Sequence, residues 1–259
     1  MKIPIYQIDA FTDERFRGNP AAVCILQEWL AGDLMQKIAA ENNLAETAFV
    51  VSRGDSHELR WFTPKTEVDL CGHATLATAY IFREHLDYRL PEINFKTQSG
   101  VLNIVYGDDF ISMIFPRRPG VRCEAPSDLL NSIRMKPVEV LKSRDYLVVL
   151  SSEDEVTHLK PDFELLKAVD ALGVIVTSRG GGVDFVSRFF APQAGINEDP
   201  VTGSSHTTLI PYWSEKLGKR KLEARQLSER GGKLFCEDLG DRVKISGKAV
   251  TYLVGEITV

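Results

Sequence analysis

Apolar residues recur in two rhythms along this chain. Alternating or continuous apolar runs at 3–11, 21–26, 46–51, 59–62 and 68–70 predict strands. Leu34, Met35, Ile38, Ala39 and Leu44 fall at helical spacing behind Asp33, which predicts a capped helix ended by Asn42-Asn43. The sharpest change comes after Glu67-Val68-Asp69-Leu70. Gly72 breaks the strand, and Ala74, Leu76, Ala77, Ala79, Tyr80 and Ile81 then form a helix strongly apolar on one side. Runs at 93–97, 101–106 and 110–115, separated by glycine-containing turns, predict antiparallel strands. The second half follows suit: a short helix at 127–133, a strand at 146–150, a helix around 161–169 and strands at 173–177 and 183–190. A second glycine turn, a helix at 205–217 and paired strands complete it. A helix this apolar is usually enclosed, so each sheet is expected to curl about its helix.

The chain also repeats itself. Ser52-Arg53-Gly54 recurs as Ser178-Arg179-Gly180, and Arg60-Trp61-Phe62-Thr63-Pro64 as Arg188-Phe189-Phe190-Ala191-Pro192. Gly72 matches Gly203, Gly100-Val101-Leu102 matches Gly232-Lys233-Leu234, and Gly107-Asp108 matches Gly240-Asp241. The separation grows steadily along the chain, as small loop insertions in a duplicated unit would produce. Two copies are too few for a solenoid. The expectation is a pseudo-symmetric pair of domains, 1–118 and 119–259, joined through the proline-rich 116–126 stretch, with the glycine turns facing a common cleft.

A chain of 259 residues, 44% apolar and 26% charged, is long enough for a sizeable core. Its net charge of −5 supplies no electrostatic reason to bind nucleic acid, and no basic or long apolar run points to a membrane. The N-terminal residues look like an edge strand rather than a signal peptide. Cys24, Cys71, Cys123 and Cys236 lack ligand spacing and read as reduced thiols of a cytoplasmic protein.

A helix beginning at Gly72-His73 offers unpaired N–H groups and the positive end of its dipole to a carboxylate or phosphate. The plainer reading is a turn before a core helix. Glu46, at the start of an apolar strand, is either a solvated corner residue or a buried carboxylate whose raised pKa suits proton transfer. His73 offers a proton shuttle or hydrogen-bond donor, or simply a helix cap. Asp199 could cap the second helix or orient a substrate, and Ser204 could bind an anion or act as a plain N-cap. There is no His-x-x-x-His or Cys-x-x-Cys pair, so no metal site is expected. Gly180-Gly181-Gly182 lacks the lysine and spacing of a nucleotide loop, and Gly203-Ser204-Ser205 is not a nucleophile elbow.

Taken in order, Asp9-Ala10-Phe11, Arg17-Gly18-Asn19-Pro20, Asn43-Leu44-Ala45-Glu46-Thr47, Phe62-Thr63-Pro64, Leu70-Cys71-Gly72-His73-Ala74 and Glu198-Asp199-Pro200 with Gly203-Ser204 resemble the PhzF-like phenazine-biosynthesis isomerase family. The resemblance spans essentially the whole chain. It implies the diaminopimelate epimerase-like α/β (α+β) fold: two pseudo-symmetric domains, each a mostly antiparallel sheet rolled around a central helix. It further implies a homodimer, cofactor-free chemistry and a small carboxylic acid as substrate. Carried over by motif, Glu46 is the catalytic acid/base, and His73 and Asp199 line the pocket. Gly72, Gly203 and Ser204 hold the substrate carboxylate, and Asn19 is a substrate-binding position. The related epimerases use two opposed cysteines; here Cys71 precedes the first turn but Thr202 stands at the matching place in the second.

The expected function is therefore a cofactor-independent isomerase that moves a proton between carbons of a small acid. The alternatives are an amino-acid racemase or epimerase, and a non-catalytic binding protein on the same fold.

Overall fold

Strand β1 (Lys2–Ala10) runs antiparallel to β2 (Asn19–Leu26), with Ala10 opposite Asn19. Helix α1 (Gly32–Asn42) then carries the chain to β3 (Glu46–Arg53), which lies parallel to β2 with Glu46 opposite Ala21. That register places Asn19 and Glu46 at the same end of neighbouring strands. β4 (Ser56–Phe62) returns antiparallel to β3, and short β5 (Glu67–Val68) pairs with its end. After helix α2 (Gly72–Glu84), strands β6 (Glu92–Thr97), β7 (Gly100–Tyr106) and β8 (Ile111–Pro116) form an antiparallel meander. The meander joins β4 through a parallel β4–β6 pairing. The structure is a computed structural model and describes residues 1–259. It divides into two compact units, one of Met1–Ile114 with Ser246–Val259 and the other of Phe115–Ile245.

The continuous apolar runs of β2 and β3 have a simple cause: both faces are covered. Ala22, Cys24, Leu26, Phe49 and Val51 pack with Met35, Ile38 and Ala39 of α1 on one side. The alternate residues Ala21, Val23, Ala48 and Val50, fully buried, point to the other face. There α2 packs against β1, β2 and β3, and its own residues from His73 to Ala79 are all buried. The expected enclosed helix is the one observed. Burial this deep pushes the Cys24 thiol up to about 12, so it is an inert packing residue.

The connection before β2 depends on glycine. Gly18 has φ +65°, and a Cβ there would lie 2.2 Å from the Ala10 carbonyl oxygen. The same loop is held by the buried Asp9 carboxylate, which accepts from Phe16 N–H at 2.9 Å. Gly18→Ala should therefore destabilise the protein by about 2 kcal/mol or more. Urea unfolding that shows less than about 0.5 kcal/mol lost would contradict this account.

The second unit runs through β9 (Val121–Arg122), α3 (Ser127–Ile133), β10 (Glu139–Lys142), β11 (Tyr146–Val149), α4 (Glu153–His158) and α5 (Phe163–Lys167). It continues with β12 (Val174–Arg179), β13 (Phe185–Ala191), β14 (Ile196–Asp199), α6 (His206–Leu217), β15 (Lys221–Gln226), β16 (Gly232–Asp238) and β17 (Arg242–Gly247). Its helix α6 is buried from His206 to Pro211 and packs on β15 and β16. Pro211 lies inside this helix and cannot bond the Thr207 carbonyl. The backbone N–H of Arg118 takes that carbonyl instead, at 3.0 Å. Trp213 stacks on Phe185 with centroids 5.8 Å apart and donates to Thr177 Oγ1 at 3.0 Å.

The division expected at 118/119 followed chain order and gave 246–259 to the second half. The structure departs from it because the closing strand β18 (Ala249–Thr258) pairs along β1, with Lys2 opposite Thr258 and Ala10 opposite Ala249. The helix expected around 161–169 is shorter, since Asp162 caps it by accepting from Glu164 and Leu165 N–H and it ends at Lys167. No helix is long and apolar enough to cross a membrane.

Candidate active site

The first candidate cluster forms where three elements end together. Asn19 opens β2, Glu46 opens β3 and His73 sits in the first turn of α2. Cys71 is the extended residue before that helix, and no side chain caps it. Gly72 therefore begins a helix whose first N–H groups carry the positive end of the dipole, as expected from sequence. Thr75 and Thr78 turn inward, their hydroxyls donating to the Cys71 and Ala74 carbonyls at 2.5 and 2.8 Å, which lets polar side chains sit in a buried helix.

His73 is the centre of this cluster. Its Nε2 lies 3.2 Å from Glu46 Oε2. Its Nδ1 lies 3.2 Å from Asn19 Nδ2 and 3.5 Å from Cys71 Sγ. Asn19 is fully buried, His73 and Cys71 nearly so, while the Glu46 side chain keeps 14% of its surface open. Burial pushes the imidazole down to about 3, so the ring is neutral at physiological pH.

Glu46, Cys71 and His73 could each offer a metal ligand, their atoms lying within 4.8 Å of one another. The carboxylate, however, is at Nε2 and the thiol at Nδ1, on opposite nitrogens of one ring. The same three groups also lie close enough to hydrogen-bond along the ring.

The remaining expected residues gather in the second unit, at the start of α6. Asp199 Oδ2 accepts from Thr202 Oγ1 at 2.5 Å. The Ser204 hydroxyl accepts from Arg144 at 3.1 Å, so the second glycine turn carries a guanidinium beside it. The first turn is tightened, with His206, Thr207 and Thr208 N–H donating to the Gly203, Ser204 and Ser205 carbonyls. Gln226 holds this segment: its amide accepts from Thr202 N–H at 2.9 Å and donates to the Asp199 carbonyl at 2.7 Å and Thr202 Oγ1 at 3.1 Å. Sequence reading passed over Gln226 and Arg144. Each is distant in sequence from the turn it serves, and nothing in the local pattern marks either.

Comparison with known proteins identifies the family and the fold. The model of the phenazine biosynthesis-like (PhzC-PhzF) family matches residues 8–255. A Pseudomonas aeruginosa protein named as an uncharacterized isomerase is 51% identical over 99% of both chains. The crystal structure of a PhzF-family phenazine biosynthesis protein from Enterococcus faecalis covers 100% of both chains at 46% identity, with a TM-score of 0.98. A hydroxyproline epimerase from Agrobacterium vitis shares the fold alone, at 10% identity and a TM-score of 0.63 over 99% of this chain and 92% of its own. The chain belongs to the phenazine biosynthesis-like family, and it is an isomerase, as bacterial relatives 46–51% identical over 99% of both chains are named. The epimerase-like α+β fold read from the motifs is the fold observed.

Proposed function

We propose that this protein is a cofactor-independent isomerase that moves a proton between carbons of a small carboxylic acid, with Glu46 as the general acid/base. The supporting observation is the cluster itself: a partly open carboxylate at the start of β3, touching a buried neutral imidazole at the uncapped start of α2. The helix N-terminus would bind the substrate carboxylate and stabilise charge that develops as the C–H bond breaks. Glu46 would take that proton and return it to a second carbon. No cofactor is needed for such a transfer.

In the second unit, Gly203 and Ser204 would serve as anion-binding positions, and Asp199 as an acceptor for a substrate amine or hydroxyl. The racemase alternative requires a second base facing the first. Thr202, at the place of the second epimerase cysteine, uses its hydroxyl to donate to Asp199, which favours the isomerase. The homodimer and the cytoplasmic setting belong to the same proposal. The four free cysteines suit a reducing compartment, and light scattering would read the dimer directly.

Deuterium uptake from heavy water by a panel of small unsaturated and amino acids, followed by mass spectrometry and chiral chromatography, tests the reading. Label at carbon with a shifted double bond is the expected result. Inverted configuration without a shifted bond would install the racemase instead, and an acid that binds yet is recovered unlabelled and unchanged would favour a binding protein.

A further inference from the structure

The groups beside the two nitrogens of the His73 ring differ in kind. At Nδ1 stand the Asn19 amide nitrogen, 3.2 Å away, and the Cys71 sulfur, 3.5 Å away. An amide nitrogen only donates, and a protonated thiol is a weak donor. At Nε2 stands a carboxylate oxygen, 3.2 Å away, which accepts when ionised. A neutral imidazole carries one N–H and one lone pair, and which nitrogen bears the proton follows from what the other meets.

We infer that Asn19 and Cys71 are positioning residues that hold His73 as the Nε2–H tautomer, with its ring N–H on the Glu46 side. The polarity then runs in one direction: Asn19 N–H and Cys71 S–H donate to Nδ1, and the Nε2–H lies beside the Glu46 carboxylate, 3.2 Å from Oε2. The opposite tautomer would set an Nδ1–H against the amide N–H and leave the Nε2 lone pair against the carboxylate. It becomes consistent only if the amide turns over and Glu46 gains a proton. Asn19 is fully buried between β1 and the start of α2, so its role is to orient the ring.

One chemical consequence rests on the isomerase reading. A ring whose Nε2 already carries a proton cannot receive the one that Glu46 abstracts. The substrate proton therefore does not pass through His73, which stabilises the carboxylate; from the partly open Glu46 it returns to carbon or exchanges with solvent. This also gives Cys71 a use that needs neither a metal nor a second, opposed thiol.

The tautomer can be read without a substrate. In protein labelled with ¹⁵N-histidine, two-bond ¹H–¹⁵N spectra separate Nε2–H, Nδ1–H and doubly protonated rings, and a His73→Asn variant assigns the signal. Wild type at pH 7 should show Nε2–H; an Nδ1–H or doubly protonated ring would overturn the inference. Cys71→Ser keeps a donor and should leave the tautomer unchanged. Asn19→Asp replaces the amide donor by a carboxylate acceptor and should move the proton to Nδ1 or protonate both nitrogens. An unchanged ring in a folded Asn19→Asp protein would remove Asn19 from the assignment. If that variant does not fold, the wild-type spectrum and the double variant Asn19→Ser, Cys71→Ala decide. The double variant should show a mixture of tautomers, and a pure Nε2–H ring there would overturn the positioning role.

If the isomerase reading also holds, Asn19→Asp should lower kcat about tenfold or more, with KM changed less than about threefold. A wild-type Nε2–H ring in a protein that isomerises nothing would sink the isomerase and keep the tautomer assignment.

Discussion

Glu46→Gln is expected to lower turnover by about 10²–10⁴-fold while ligand affinity stays within about threefold. The substitution keeps the volume and planarity of the side chain. Its amide oxygen can still accept from His73 Nε2, now 3.2 Å from the carboxylate, so the cluster has no reason to collapse. What the amide lacks is a site that takes a proton from carbon. An effect on kcat without an effect on binding is the signature of a group that acts only as the bond breaks. The measurement pairs kcat on an acid found in the exchange panel with calorimetric affinity for the same acid. Turnover above about a tenth of wild type would take the acid/base role away from Glu46. A large loss of affinity would recast Glu46 as a binding residue.

The first unit's candidate cluster is legible in the sequence because its signals are local. The start of α2 is announced by Gly72 and by an apolar face over the next three turns, and the structure begins the helix at Gly72. Glu46 stands as a carboxylate at the head of an apolar run, and that run is β3. Two things escaped. The first is the β18–β1 pairing: the last ten-residue strand has no feature that selects β1 over a nearer partner, and register is set in three dimensions. The second is the way buried polar groups satisfy one another. Gln226 clamps 199–202 from a strand far along the chain, and Arg144 reaches Ser204. Asn19 shows the middle case. Its motif marked it as functional, but only the fold reveals that it is fully buried against His73. Periodicity reports which face is buried, and it is silent on which polar atoms meet there.

The same buried histidines should make the protein sensitive to mild acid. His206 is fully buried, its Nδ1 bonded to the Thr202 carbonyl at 2.8 Å, and burial holds it down at about 4. His57, packed edge-on against Phe82, Tyr88 and Phe95, is lowered by burial, partly offset by Asp55. His73 is lowered to about 3 by burial. In the unfolded chain each returns to an ordinary value near 6.5. Between that value and the folded one, the unfolded state binds more protons, so stability rises with pH and is lost as pH falls. His206 alone contributes a slope of about 1.4 kcal/mol per pH unit below about pH 6, and His73 adds the same sign. Two such groups can remove as much as about 8 kcal/mol by about pH 3, a large share of a typical total of about 5–15 kcal/mol. Asp145 opposes the trend, since burial raises it. Urea midpoints measured from pH 8 to pH 5 should be flat above about pH 7 and fall steadily below about pH 6.5. Unfolding at pH 5.5 should take up about two protons, read from the buffer dependence of the calorimetric heat. His206→Gln, if folded, should flatten the fall by about half. A midpoint unchanged from pH 7 to pH 5 would mean that His206 and His73 are not held neutral in the native protein, and with that the neutral-ring basis for assigning proton transfer to Glu46 would go too.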